Sequence, residues 1–320
     1  MLTYLLLLIG FIFLIKGADL LIDGASSIAK KFKLSDLFIG LTIVAFGTSA
    51  PELTINIIAN FRGSADIAIG NIIGACIANI LLIAGIAAMI SPIRIKNGTA
   101  WKEIPLALMV MILLFFLAND GLLGGDKLSL LSRFDGIILL IFFAVFMYYT
   151  FGINKIKGEE NLSYEKFKMP ISLTYVLLGV IGLGLGGHWV VSSAITIARS
   201  LGLSETIIGL TIISIGTTLP EMTASVMAVI KKSADIAIGN IIGSVIFNTS
   251  FILGLSALIK PLSFNPSLNL DLAITLLAIS LMFYFVLTGK KERHIVRREG
   301  AGLFGAYLIY ILFLLWRGWT

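Results

Sequence analysis

The chain has 320 residues, 58% of them hydrophobic and 13% charged, with a mean hydropathy of +1.01. That leaves too little polar surface to cover a soluble globule of this size, so the composition reads as an all-α polytopic membrane protein. A net charge of +6 would suggest nucleic acid in a soluble protein, but its placement along the chain gives it another meaning.

Ten stretches reach the roughly 20 apolar residues needed to cross a hydrocarbon core. In chain order they lie near 3–27, 36–60, 65–90, 103–119, 134–152, 172–196, 205–230, 234–258, 268–287 and 302–317. Several exceed the minimum, which predicts tilted or broken helices. The first could pass for a signal peptide, but its counterpart later in the chain is internal, so it is expected to be retained. A polar stretch rich in Lys and Glu separates the halves. It gives a first five-helix repeat over 1–153, a cytoplasmic linker over 154–170 and a second five-helix repeat over 171–320.

The cations are distributed unevenly. Only Arg62, Lys127, Arg133, Arg199, Lys260 and Arg317 fall on one side of the ten-span arrangement, Lys16 lies inside the first span, and every other Lys and Arg lines the opposite side. The positive-inside rule then places the basic loops in the cytoplasm and both termini outside the cell membrane. A basic rim accounts for the net charge, and no nucleic-acid partner is expected. The one cysteine, Cys76, cannot form an intrachain disulfide and is read as a packing residue.

The two halves share sequence. Ser64 to Gly74 recurs without change as Ser233 to Gly243, and the same offset of 169 carries Gly47-Thr48-Ser49-Ala50-Pro51-Glu52 onto Gly216-Thr217-Thr218-Leu219-Pro220-Glu221. One module is used twice. Because each half has an odd number of spans, the second enters the membrane from the opposite face, a plan of secondary transporters with the site at the repeat interface. The Gly and Pro inside spans two and seven predict broken helices with freed carbonyls. Gly70 with Gly74 and Gly239 with Gly243 predict close helix packing, so the repeated run reads chiefly as scaffold.

Glu52 and Glu221 are the acids that fall deep in a span in both copies; Asp19 and Asp23 have His188 and Ser192 as counterparts and lack that symmetry. An ionised carboxylate at mid-membrane costs at least ~2.5 kcal/mol, and no Lys, Arg or His lies at matching depth. A bound cation is the expected counter-charge. Thr48 and Thr217 stand four residues before the glutamates, Asn79 and Asn248 bring amide oxygens from the next span, and Ser49, Thr218 and Ser244 add hydroxyls. All are hard oxygen donors without accompanying Cys or His, which favours Ca²⁺ and Na⁺ over zinc or copper. No nucleophile and base accompany the acids, so enzymatic activity is not expected.

At these motifs the chain resembles the cation/Ca²⁺ exchanger superfamily, most closely prokaryotic sodium/calcium exchangers, whose repeats read roughly Gly-Thr-Ser-x-Pro-Glu followed by Gly-Asn-x-x-Gly-Ser. The resemblance covers essentially the whole chain. It implies a Ca²⁺ site at Glu52, Glu221, Thr48 and Thr217, Na⁺ sites using Ala45, Ser49, Ser214, Thr218 and Ser244, and a middle position at Asn79 and Asn248. It also implies exchange of three Na⁺ for one Ca²⁺ by alternating access, with glycines such as Gly17, Gly182, Gly184 and Gly186 letting spans one and six slide across the core. Ca²⁺ and Na⁺ would be substrates rather than cofactors, and no obligate protein partner is expected. Two departures stand out: Ala75 occupies the position of Ser244, and Asn248 stands where some relatives carry Asp, which argues against K⁺ dependence. Ca²⁺/H⁺ exchange is the nearest alternative and a cation channel a more distant one.

Overall fold

A computed structural model describes residues 2–120, 129–153, 167–202, 214–288 and 293–317. The expected linker falls largely outside them, as do the first residues of span seven. Eight described helices are long and apolar enough to cross a membrane: α1 (Leu2–Phe32), α3 (Ala65–Ile90), α4 (Glu103–Ala118, continuing a short turn from Asn97), α5 (Arg133–Ile153), α6 (Met169–Ser200), α8 (Ala234–Ile259), α9 (Asn269–Thr288) and α10 (Arg297–Arg317). Span two is a bent pair, α2a (Asp36–Thr48) and α2b (Ala50–Phe61), turning by 46° at Ser49. Span seven is described from α7a (Ser214–Thr217) onward through α7b (Leu219–Ile230).

The halves are related by an inverted pseudo-two-fold, and reciprocal contacts show it. A Cβ added to Gly10 would come within 3.0 Å of the Gly186 carbonyl, while one on Gly17 would meet the Gly179 carbonyl at 2.9 Å. Residues 10 and 179 are counterparts, as are 17 and 186, so each contact is the image of the other, as a two-fold demands. Gly85 against Gly300 (α3 with α10) and Gly254 against Gly136 (α8 with α5) form a like pair, with α5 and α10 in register at an offset of 164 (297 − 133), which carries Gly136 onto Gly300. Two short antiparallel ladders close the ends. β1 (Ile93–Arg94) pairs with β4 (His294–Ile295), and β2 (Leu130–Leu131) pairs with β3 (Leu262–Ser263). Helix α4 separates β1 from β2 by about 24 Å of rise, so the ladders sit at opposite ends, and the β1–β4 end is the one rich in cations.

At the centre α3 and α8 are buried over nearly their whole length, with Ile69, Ile72, Ile73, Ile77, Ile238, Ile241, Ile242 and Ile246 fully enclosed. Lipid-facing residues of α1, α5, α6 and α10 remain apolar and exposed, as a hydrocarbon solvent requires. Gly239 and Gly243 allow the close packing expected of them: a Cβ on Gly239 would fall 2.8 Å from the Leu37 carbonyl, and on Gly243 2.9 Å from Leu41 Cα.

The glycines of α1 and α6 differ from the sequence expectation. Gly17, Gly182 and Gly186 do not face the core; they join α1 to α6 so tightly that a Cβ on Gly17 would lie 2.7 Å from the Leu183 backbone nitrogen, and Gly184 has nothing within 4 Å. The small residues where this pair meets the core are Gly47 against Val180, Gly216 against Val191 and Gly187 against Pro220. Backbone-to-backbone packing fuses α1 and α6 into one body, whereas the contacts with the core are side-chain surfaces.

Candidate functional site

Each broken span builds its half of the site by the same local logic. Ser49 (φ −84°, ψ 7°) and Thr218 (φ −90°, ψ 4°) leave helical geometry, and a proline follows two residues later. At that early position in the new helix the missing N–H is tolerated, while the carbonyl four residues back loses its donor. The consequence is that Glu52 and Glu221 fall in the first turns of α2b and α7b, where the positive end of the helix dipole favours a carboxylate. Both are fully buried.

The next spans supply the amides through a second local device. Ala78–Ile83 and Phe247–Ile252 are wide π turns at equivalent places in α3 and α8, and such turns occur mostly at functional positions. They carry Asn79 and Asn248, both fully buried. The Asn79 turn packs against α7b and the Asn248 turn against α2b, so each amide lies beside the glutamate helix of the other repeat.

The unpartnered atoms mark what is chemically missing. Both oxygens of Glu52, Oε2 of Glu221, and Nδ2 and Oδ1 of both Asn79 and Asn248 are buried without a hydrogen-bond partner among the described residues. An orphaned buried polar group costs about 1–3 kcal/mol, and more if charged. Clustered carboxylate and amide oxygens with no cation paired to the acids among the described residues can hold hard cations.

Around them the two repeats are not equivalent. Ser49 donates to Glu221 Oε1 at 2.8 Å and lies 3.3 Å from Ser244 Oγ. Its counterpart Thr218 donates instead to the Ile215 carbonyl at 2.9 Å, and Glu52 has no partner for either oxygen among the described residues. Ala75, in the place of Ser244, has no hydroxyl to offer. The Thr48 hydroxyl sits between the Ala45 carbonyl (3.3 Å) and Asn240 Oδ1 (3.2 Å), and the Ala45 carbonyl also accepts the Ser49 N–H at 3.0 Å. Thr217 is buried and engaged with a neighbour. Ser214 opens α7a, and its side chain lies outside what is described.

Asn240 was missed by reading the repeated run as scaffold. Fully buried in α8, it accepts from Thr48, donates to Ser225 Oγ at 2.9 Å and donates to the Glu221 carbonyl at 3.3 Å, tying the two repeats together behind the acids. A polar residue kept inside an apolar run in both copies was the available signal; its counterpart Asn71 has an unpartnered Nδ2 among the described residues. A second missed feature is the stripe Glu52, Asn56, Asn60 on one face of α2b. Asn60 donates to the Ser256 carbonyl at 2.7 Å, and Asn56 accepts from the Ser256 hydroxyl, fastening α2b to α8. Cys76 packs against Val245 and Thr249, as a structural thiol does.

Inverted repeats with helices broken at their interface, and paired acids among oxygen donors there, are the plan of a membrane antiporter. The chain belongs to the sodium/calcium exchanger protein family, whose match covers residues 2–152 and 171–316. It is 32% identical over 346 residues to the sodium/calcium exchanger MaX1 of Methanosarcina acetivorans, with 98% of each chain covered. It is likewise 32% identical over 322 residues to the inner membrane protein YrbG of Escherichia coli, covering 97% of this chain and 96% of that one. Among solved structures it is similar to the sodium-calcium exchanger NCX_Mj soaked with Na⁺ and Sr²⁺, with a TM-score of 0.82 and 32% identity over 97% of this chain and 98% of that one.

Proposed function

We propose that the protein exchanges Na⁺ for Ca²⁺ across the cell membrane, with Glu52 and Glu221 as the shared charged ligands and Thr48, Thr217, Asn79 and Asn248 completing the Ca²⁺ position. Ser49, Thr218, Ser244 and the backbone at Ala45 and Ser214 line the flanking Na⁺ positions. The observation that carries this reading is the set of buried, unpartnered carboxylate and amide oxygens converging from both repeats.

The charge balance suggests the stoichiometry. Two ionised glutamates give the site −2, which one Ca²⁺ neutralises and three Na⁺ overbalance to +1. Exchange at three to one moves one net charge per cycle, worth about 2.3 kcal/mol per 100 mV. Both ions need the same carboxylates, so they compete, and coupled counterflow follows if the site opens to one face at a time. The α1–α6 body, packed on the core through Val180, Val191 and Pro220, is the part suited to move. The charge bias places the β1–β4 end in the cytoplasm and both termini outside.

The decisive experiment is ⁴⁵Ca²⁺ uptake into proteoliposomes under separately imposed Na⁺, K⁺ and pH gradients. Uptake driven by an outward Na⁺ gradient alone, made faster by an inside-positive potential because each three-to-one cycle carries one net charge out, and lost in Glu52→Gln, is the expected result. Uptake driven by a proton gradient without Na⁺ would favour the Ca²⁺/H⁺ reading, and flux needing no counter-ion would favour a channel.

A further inference from the structure

The two α1 acids that the ion site does not use meet a single cation. Lys231, capping α7b, places its ammonium 2.6 Å from Asp19 Oδ1 and 2.8 Å from Asp23 Oδ1, and donates to the Asp19 carbonyl at 3.0 Å. The three side chains are 23%, 39% and 22% exposed, so the cluster lies at the rim of the helical domain, partly shielded from solvent. α7b belongs to the core, and α1 belongs to the glycine-fused body with α6. The cluster therefore joins the two bodies by charge.

Pseudo-symmetry shows that this tie exists at one end. The counterparts of Asp19, Asp23 and Lys231 are His188, Ser192 and Arg62. An imidazole and a hydroxyl provide no negative charge to hold a guanidinium, and Arg62 is exposed with no ion pair among the described residues. Other contacts of the α1–α6 body with the core include apolar ones such as Gly47 on Val180 and Gly216 on Val191, which resist sliding little.

We infer that Lys231 with Asp19 and Asp23 is a one-sided latch that closes the α1–α6 body onto the core at the rim assigned to the cytoplasm. The inference rests on the alternating-access reading above. With the latch engaged, the ion-free protein rests with its cytoplasmic face shut, and opening that face requires the three charges to part.

The test uses the full-length protein in lipid, by hydrogen–deuterium exchange and by sided transport. Lys231→Ala should speed amide exchange about fivefold or more over residues 19–30 and 219–231, the effect of losing two partly shielded ion pairs, and leave residues 4–12 unchanged. Half-saturating Ca²⁺ at the cytoplasmic face should fall by a similar factor. Asp23→Asn, which removes one pair and disturbs folding less, should give a smaller change in the same direction, and Lys231→Asp combined with Asp19→Lys and Asp23→Asn should restore protection. Wild-type exchange rates in Lys231→Ala, or a charge swap that behaves like Lys231→Asp alone, would overturn the latch. If the wild type shows no Na⁺-coupled Ca²⁺ flux, the exchange reading fails by itself, because the amide measurement reports the latch without transport.

Discussion

Ser49 of the first repeat donates its hydroxyl proton to Glu221 of the second at 2.8 Å, whereas Thr218, its counterpart, turns away from Glu52 to the Ile215 carbonyl. Among the described residues, one glutamate is held by the opposite repeat and the other is not. Two acids that the sequence makes equivalent are therefore unequal in three dimensions.

Ser49→Ala should damage Na⁺ binding more than Thr218→Ala. A hydrogen bond to a charged group contributes about 1.5–3 kcal/mol, so half-saturating Na⁺ should rise roughly tenfold or more for Ser49→Ala and by about threefold or less for Thr218→Ala. Na⁺ titrations of ⁴⁵Ca²⁺ release check this, and equal effects would remove the asymmetry.

Ala75→Ser supplies the hydroxyl that Ser244 provides in the other repeat. It should lower half-saturating Na⁺ by about three- to tenfold, while Ser244→Ala raises it, each change being of the size of one net hydrogen-bonding group. Isothermal titration with Na⁺ measures both; a neutral Ala75→Ser would mean that the first-repeat position takes its oxygens from elsewhere.

Asn240→Ala removes the bridge between Thr48, Ser225 and the Glu221 carbonyl and leaves their buried groups short of partners. Thermal stability should fall by an amount corresponding to ~2–4 kcal/mol, and Ca²⁺ affinity should fall with it. Asn240→Asp keeps the acceptor for Thr48 but loses the amide donor, so its loss of Ca²⁺ affinity relative to the wild type should be smaller at acidic pH, where the new carboxyl can carry a proton to donate, than at pH 7. A ratio to the wild type that does not change with pH would argue against the bridge as the cause.

Gly17→Ala and Gly179→Ala place a methyl 2.7 Å and 2.6 Å from backbone nitrogen atoms of the partner helix. Each should destabilise by ~1–3 kcal/mol through forced separation of α1 and α6. Gly184→Ala, with nothing within 4 Å, should be neutral or mildly stabilising because alanine favours the helix. Unfolding midpoints in detergent distinguish them.

Much of this architecture was legible in the chain. An apolar run of about 20 residues has one outcome in a bilayer, because every backbone group must be satisfied internally. The 169-residue offset with an odd span count then dictates inversion, and buried acids without counter-charges point to cations. Less legible was the direction of each glycine. Gly17, Gly182 and Gly186 look like sliding surfaces in sequence, yet they lock α1 to α6, since small residues permit close approach to whichever helix the fold supplies. Asn240 was hidden for a related reason: an amide in an identical repeat looks like shared scaffold until its three partners, 15, 19 and 192 positions away, are known.

The sequence by itself determined the membrane spans, the duplication, the helix breaks at Ser49 and Thr218 and the chemical class of the ligands, because these depend on hydropathy, local backbone chemistry and donor type. Only the tertiary structure decided which oxygens are partnered and which are left open among the described residues, that Ser49 braces Glu221 while Thr218 turns from Glu52, and that Asp19 and Asp23 close on Lys231. Those outcomes depend on contacts between residues up to 212 positions apart, and no local preference specifies them.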